Sequence, residues 1–187
     1  MASITTAQRN RAADAVAARC NSGPLRAYNG TPPADANTAL SGNTLLAEAT
    51  FGSTAFGAAA SGVATANAIT QDSSNDATGS PSFVRAFESG GSTVVFQCLA
   101  AVSWIASTAY VTADRVVNSS NQYRCTTGGT SASSGGPTGT GGSIADGSVT
   151  WAYEGAAECT ITNTGGKQIV SGGTFSVSSL TYTQAGG

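Results

Sequence analysis

At 187 residues the chain has room for one or two domains and for a hydrophobic core that needs no staples. Only 10% of its residues are charged, the net charge is −2 and no basic run occurs, which argues against a nucleic-acid partner. No stretch is long and apolar enough to span a membrane, and four cysteines without a Cys-x-x-Cys spacing, in a chain with no histidine, argue against a zinc site.

Thr5-Thr-Ala-Gln8 fits a capping box and opens a helix running to about Cys20, rich in Ala and free of Gly and Pro. Ala12, Val16 and Cys20 give it a narrow apolar stripe, and Gly23-Pro24 ends it. The stripe suits a helix that covers one open edge of its own sheet. No apolar run here is long enough for a signal peptide, so the expectation is assembly in a host cytoplasm.

After the helix the chain reads as short strands and turns. Leu25 to Tyr28 is a brief strand, and Asn29-Gly30 with Thr31-Pro-Pro33 is a turn and connector. Leu45, Ala47, Ala49 and Phe51 alternate with Leu46, Glu48 and Thr50, the period of a half-buried strand. Gly62 to Thr70 reads as one strand of small residues, and Asp72 to Gly79 as a polar turn. The Asp72–Asp76 oxygens suggest a hard cation, but without the Gly and bidentate Glu of an EF-hand they fit Asx-turns better. Phe83 to Glu88 and Thr93 to Cys98 flank Ser89-Gly-Gly-Ser92 as a hairpin. Cys159 to Thr162, Lys167 to Ser171 and Thr174 to Thr183 complete the strands. In this phase Leu45, Phe51, Phe83, Phe87, Val94, Phe96, Ile161, Val177 and Leu180 form the core.

Between Cys98 and Cys159 the composition changes. Both tryptophans (Trp104, Trp151) and three of the five tyrosines (Tyr110, Tyr123, Tyr153) fall there, around a Gly/Ser/Thr-rich run from Gly128 to Gly147. The block reads as a small module spliced into a host loop. The fold expected is therefore all-β: an antiparallel β-sandwich (1–100 and 156–187) with one N-terminal helix and a small inserted β domain (101–155).

Two resemblances add to this reading. Ile4-Thr-Thr-Ala-Gln-Arg-Asn10, Leu25-Arg-Ala-Tyr-Asn-Gly-Thr-Pro-Pro33 and Leu45-Leu-Ala-Glu-Ala-Thr-Phe51 resemble a family of small tailed-bacteriophage virion proteins. So do Gly62 to Thr70, Asp76-Ala-Thr-Gly79 and Ile169 to Thr183, in order and spacing through the whole host. That resemblance implies a structural role on the particle, as a capsid decoration or cement protein that contacts the major capsid protein and copies of itself. The inserted block is similar to short chitin-binding-type carbohydrate-binding modules: Trp104, Tyr110, Asp114-x-Val116, Tyr123-x-Cys125, with Trp151 closing it. It departs from them in having Ala113 where Gly usually precedes Asp, and no aromatic pair after Tyr123-x-Cys125.

A sugar-binding face needs flat rings exposed together, whereas a fifty-residue module needs its large aromatics for a core. Trp104, Tyr110, Tyr123 and Trp151 fit that core. Trp151 and Tyr153 at an exposed edge, with Trp104, are the candidates for contact with a bacterial surface glycan, and Asp114 fits a turn hydrogen bond. The alternative function is accordingly a tail- or baseplate-associated adhesin. Cys98 and Cys159, at exit and return, are disulfide candidates across the neck, together with Cys20 and Cys125. Without histidine a Ser-His-Asp or Cys-His arrangement is impossible, and nothing in the spacing pairs two of Asp72, Asp76, Asp114 and Glu154. The expectation is a virion protein that is not an enzyme and uses no cofactor.

Overall fold

A computed structural model describes residues 4–163 and 165–184. The helix α1 (Thr6–Ala18) starts where the capping pattern places it, with the Thr5 hydroxyl accepting from the Gln8 amide at 3.3 Å. Its buried side is Ala13 and Ala17, followed by Cys20, while Ala12 and Val16 are only half-buried. At Ala12 and Val16 the expected stripe is one position out of phase, while Cys20 is buried as expected. With side chains this small the period fixes the spacing but leaves the face ambiguous. The helix lies on the strands Val63–Thr65 and Phe175–Thr183, and its polar side chains accept from loop amides: Asp14 from Ala59 and Asn10 from Gly62, both at 2.7 Å.

The strands are β1 (Pro24–Tyr28), β2 (Leu45–Phe51), β3 (Val63–Thr65), β4 (Ile69–Thr70), β5 (Phe83–Phe87), β6 (Val94–Ser103) and β7 (Ala109–Tyr110). They continue with β8 (Arg115–Asn118), β9 (Asn121–Thr127), β10 (Gly129–Thr130), β11 (Ile144–Asp146), β12 (Val149–Ala156), β13 (Cys159–Asn163) and β14 (Phe175–Thr183). The all-β class with one short helix holds. Two expected strands differ. Gly62 to Thr70 is broken into β3 and β4, because β3 pairs with β14 while β4 pairs with β2. Lys167 to Ser171 is not a strand; Ile169 forms an isolated bridge with Gly79 and packs in the first buried cluster.

One sheet path runs β11-β12-β9-β8-β6-β5-β1-β2-β4, and β13 and β14 branch from it. β6 is the branch point. Its first residues pair antiparallel with β5, Ala100 to Val102 pair parallel with β13, and Val102 and Ser103 pair parallel with β8. A single ten-residue strand therefore pairs with β5 at one end and with β13 and β8 at the other. The sequence signal for this extension is the apolar run Leu99-Ala-Ala-Val102, which continues past Cys98.

The buried apolar residues fall into two clusters. The first spans α1, β1, β2, β5, β6, β13 and β14, and includes Leu25, Leu46, Phe51, Phe56, Val84, Phe96, Ile161, Phe175 and Leu180. Each such large side chain, fully buried, contributes about 1.5–3 kcal/mol. The second is Tyr110, Val116, Tyr123, Cys125, Val149 and Trp151.

β5 departs from the expected phase. Val84 and Ala86 face the first cluster, whereas Phe83 and Phe87 are buried on the opposite face of the sheet. Every residue of β5 is buried, so alternation carried no information there. The opposite face is a cross-strand polar row, Glu48–Arg26–Arg85–Gln97, set by the register of β2, β1, β5 and β6. Arg85, only 4% exposed, donates to Gln97 Oε1 at 2.9 Å and to the Thr38 carbonyl at 2.6 Å, and Gln97 donates to the Pro33 carbonyl at 2.9 Å. These bonds hold the loop between β1 and β2 over this face, where Tyr28 and Phe83 stack at 5.3 Å.

Candidate functional site

The inserted block is organised by a residue that pattern reading passed over. Asp146 ends β11, and with Gly147 and Ser148 it forms the tight turn into β12. The residue is buried, only 5% exposed. One oxygen, Oδ2, accepts the indole N–H of Trp104 at 2.8 Å and that of Trp151 at 2.9 Å, and Oδ1 accepts the Ala132 amide at 2.9 Å. Three donors thus satisfy a buried anion, and the two tryptophans are locked to one point. Gly147 permits the turn twice over. Its φ is +65°, and an added Cβ would lie 2.4 Å from the Thr130 carbonyl oxygen. The signal was available as Asp-Gly between the apolar positions Ile144 and Val149.

This geometry corrects the glycan assignment. Trp151 is fully buried, edge-on to Tyr110 at 5.0 Å, and has no face left for a sugar. Trp104 and Tyr153 are half-buried and pack against the same cluster, Tyr153 with its ring 5.9 Å from that of Tyr123. Trp151 serves the interior of the block, and Trp104 and Tyr153 each keep one side packed on it. Asp114 makes a turn bond, accepting the Val111 amide at 3.0 Å, and also receives Lys167 at 3.1 Å. Ala113, where the resembled pattern has Gly, carries φ +77°. The backbone keeps the conformation that glycine favours and accommodates a methyl group there.

On the outer side of this block Glu154 gathers two guanidiniums. Arg115 reaches it through Nε at 2.7 Å and through a terminal nitrogen at 3.2 Å, and Arg124 through Nε at 3.0 Å. Both arginines line a cleft of about 580 Å³ whose other wall is host residues 29–32 and 80–82. Of the sequence candidates Asp114 also lines this cleft, whereas Asp72, Trp104, Trp151 and Tyr153 do not. Asp72 accepts the Ser74 amide at 2.9 Å and the Glu48 amide at 3.0 Å, which makes it an Asx-turn anchor. Among the described residues no group of three or more Cys, Asp or Glu is placed to hold a metal ion.

All four cysteines are buried free thiols, so the disulfide candidates are not bonded. Cys159 stands opposite Ala100, which sets Cys98 two residues off, a diagonal neighbour rather than a direct one. Cys20, Cys98 and Cys159 belong to the first cluster and Cys125 to the second. Burial pushes the Cys20 and Cys159 thiols up to about 12, raises Cys98 well above its ordinary value, and raises Cys125. Because only the thiolate reacts, alkylation of the native chain at pH 8 is expected to be slower than that of a free thiol by roughly a thousandfold at Cys20 and Cys159. All four should label at once in denaturant, as read by intact mass. Rapid native labelling of any one would show that its site opens. The linked effect on stability has a definite sign. A thiol raised in the folded state favours folding fully below the unfolded value near 9.0, and that contribution is lost as pH rises from there toward 12. Alkaline unfolding should therefore steepen above about pH 9.

Compared with known protein families, curated proteins and solved structures, the chain shows no match.

Proposed function

We propose that this chain is a structural protein of a tailed-bacteriophage particle, a decoration protein that sits on the capsid shell against the major capsid protein and copies of itself. In this reading the inserted block projects outward. Residues 1–100 and 156–187 are the docking body, and the β13–β14–β3 arm folds over the β5–β1–β2 sheet as a sandwich. What supports the sandwich is the packing of Phe96 against Tyr182 at 5.2 Å, together with Phe175 and Leu180 in one cluster with Phe51 and Phe56.

The observation that carries the reading is β6. A flexible tether would suffice for a domain that merely accompanies another. Here a continuous strand, hydrogen-bonded to β5 at one end and to β8 at the other, fixes the direction in which the block points. Fixed projection is what a repeated surface element on a shell requires. The host segments that resemble virion proteins run on both sides of this strut, and the low charge suits a body whose surface is covered by neighbours.

Imaging purified particles that carry the chain, at subnanometre resolution, tests this. The expected map shows the host body in regular copies on the shell with the block pointing away from it. Absence of the chain from the particle, or its confinement to the tail, overturns the capsid placement.

A further inference from the structure

We infer that the cleft between the host loops and the inserted block binds a carboxylate-bearing saccharide, with Arg115 and Arg124 as the groups that hold its charge. The inference does not depend on the virion reading, so either can fail without the other.

The charge balance is the first argument. Among the described residues Arg115 and Arg124 pair with Glu154, and Lys167, behind the cleft wall, pairs with Asp114. Three cations against two carboxylates leave one positive charge uncompensated, in a chain whose net charge is −2. Among the described residues Arg124 commits only Nε to Glu154, and its two terminal amino groups have no acceptor. Its side chain is 39% exposed. Arg115 is 10% exposed and held at two points by Glu154, so it is oriented before any ligand arrives. A guanidinium with a free fork matches a carboxylate.

The second argument is shape and lining. A volume of about 580 Å³ is that of a small-molecule site and far more than a lone anion fills. The walls carry hydroxyls (Thr31, Ser80) and apolar surface (the half-buried Pro32, and Val111 at 61% exposure). A pyranose presents the same combination, hydroxyl rim and C–H face. The aromatic rings cannot supply the contact, since Trp151 is fully buried. A sugar on this protein is therefore held by charge and hydroxyls at the junction, and both walls must be present for the cleft to exist.

Titration of the full chain with trigalacturonate, read by calorimetry or by backbone amide shifts, tests this. Binding is expected with Kd on the order of 1 mM or tighter, the neutral galactose trimer binding at least about tenfold more weakly. Affinity should fall as NaCl rises, because the contact is partly exposed. Arg124→Gln should weaken binding about tenfold with unchanged tryptophan fluorescence. Thr112→Glu, at an exposed rim position, should do the same by repulsion, and it stands in if loss of Arg124 loosens the block. No binding at about 20 mM trigalacturonate, equal binding of the neutral trimer, or full affinity in Thr112→Glu would overturn the inference. Displacement by acetate at the same concentration would reduce the cleft to a plain anion site and overturn the saccharide assignment.

Discussion

Asp146→Ala is expected to destabilise the inserted block by about 3–5 kcal/mol, the cost of stripping a partner from buried polar groups. The substitution leaves two indole N–H groups and the Ala132 amide without the acceptor they share. Trp151 has nowhere else to turn, because it is fully buried against Tyr110. Asp146→Asn should be milder. Its amide oxygen can still receive both indoles, while its NH₂ meets the Ala132 N–H donor to donor. The effect should also be local. The second cluster shares no buried residue with the first, so the host can stay folded when the block opens. Both tryptophans of the chain lie in the block, so a red shift in their emission reports it alone. Amide exchange in β1, β2 and β5 reports the host. A loss below about 1 kcal/mol, or simultaneous exposure of both regions, would show that Asp146 is not the pin of a separate core.

How much of this could be read from the residues depends on how each was constrained. Thr5 to Gln8, the alternation from Ala47 to Phe51 and the hairpin around Ser89 to Ser92 were legible, because local chemistry alone decides them, while at the start of that strand Leu46 rather than Leu45 is in the core. The all-β class and the aromatic core of the block followed the same way. What failed was decided by tertiary contact. β5 is buried on both faces, so no alternation marked which side met the core. The break between β3 and β4 arises because two different strands compete for one segment. Trp151 failed as a sugar candidate for a related reason: aromatic content predicts burial and exposure equally until the polar partner is known. Asp146 is that partner, and Trp104 lies 42 positions before it in the chain. The Arg115–Glu154–Arg124 cluster spans 39 positions and has no sequence motif at all.

Gly23→Ala should be the most damaging single methyl in the host, at about 3 kcal/mol or more. The sequence marks this glycine as a helix stop, but its φ is not in the left-handed region. Space is what it supplies. An added Cβ would lie 2.0 Å from the Phe87 carbonyl oxygen, a backbone atom at the end of β5. The segment cannot retreat, because the Gly23 carbonyl accepts from Phe51 at 2.9 Å and the neighbouring Ser22 amide donates to Gly52 at 2.9 Å. Relief requires β1 to part from β5 or from β2, and the first cluster is built on both. Gly42→Ala is the control. Gly42 has φ +72° and nothing within 4 Å of an added Cβ, so its cost is conformational only, about 1–2 kcal/mol. Urea unfolding of the two variants should separate steric exclusion from backbone strain, and equal losses would refute the close-approach account. Combined with Asp146→Ala, Gly23→Ala should add within about 0.5 kcal/mol, since the two sites share no contact. A larger coupling would mean that β6 transmits strain between the two cores instead of merely aligning them.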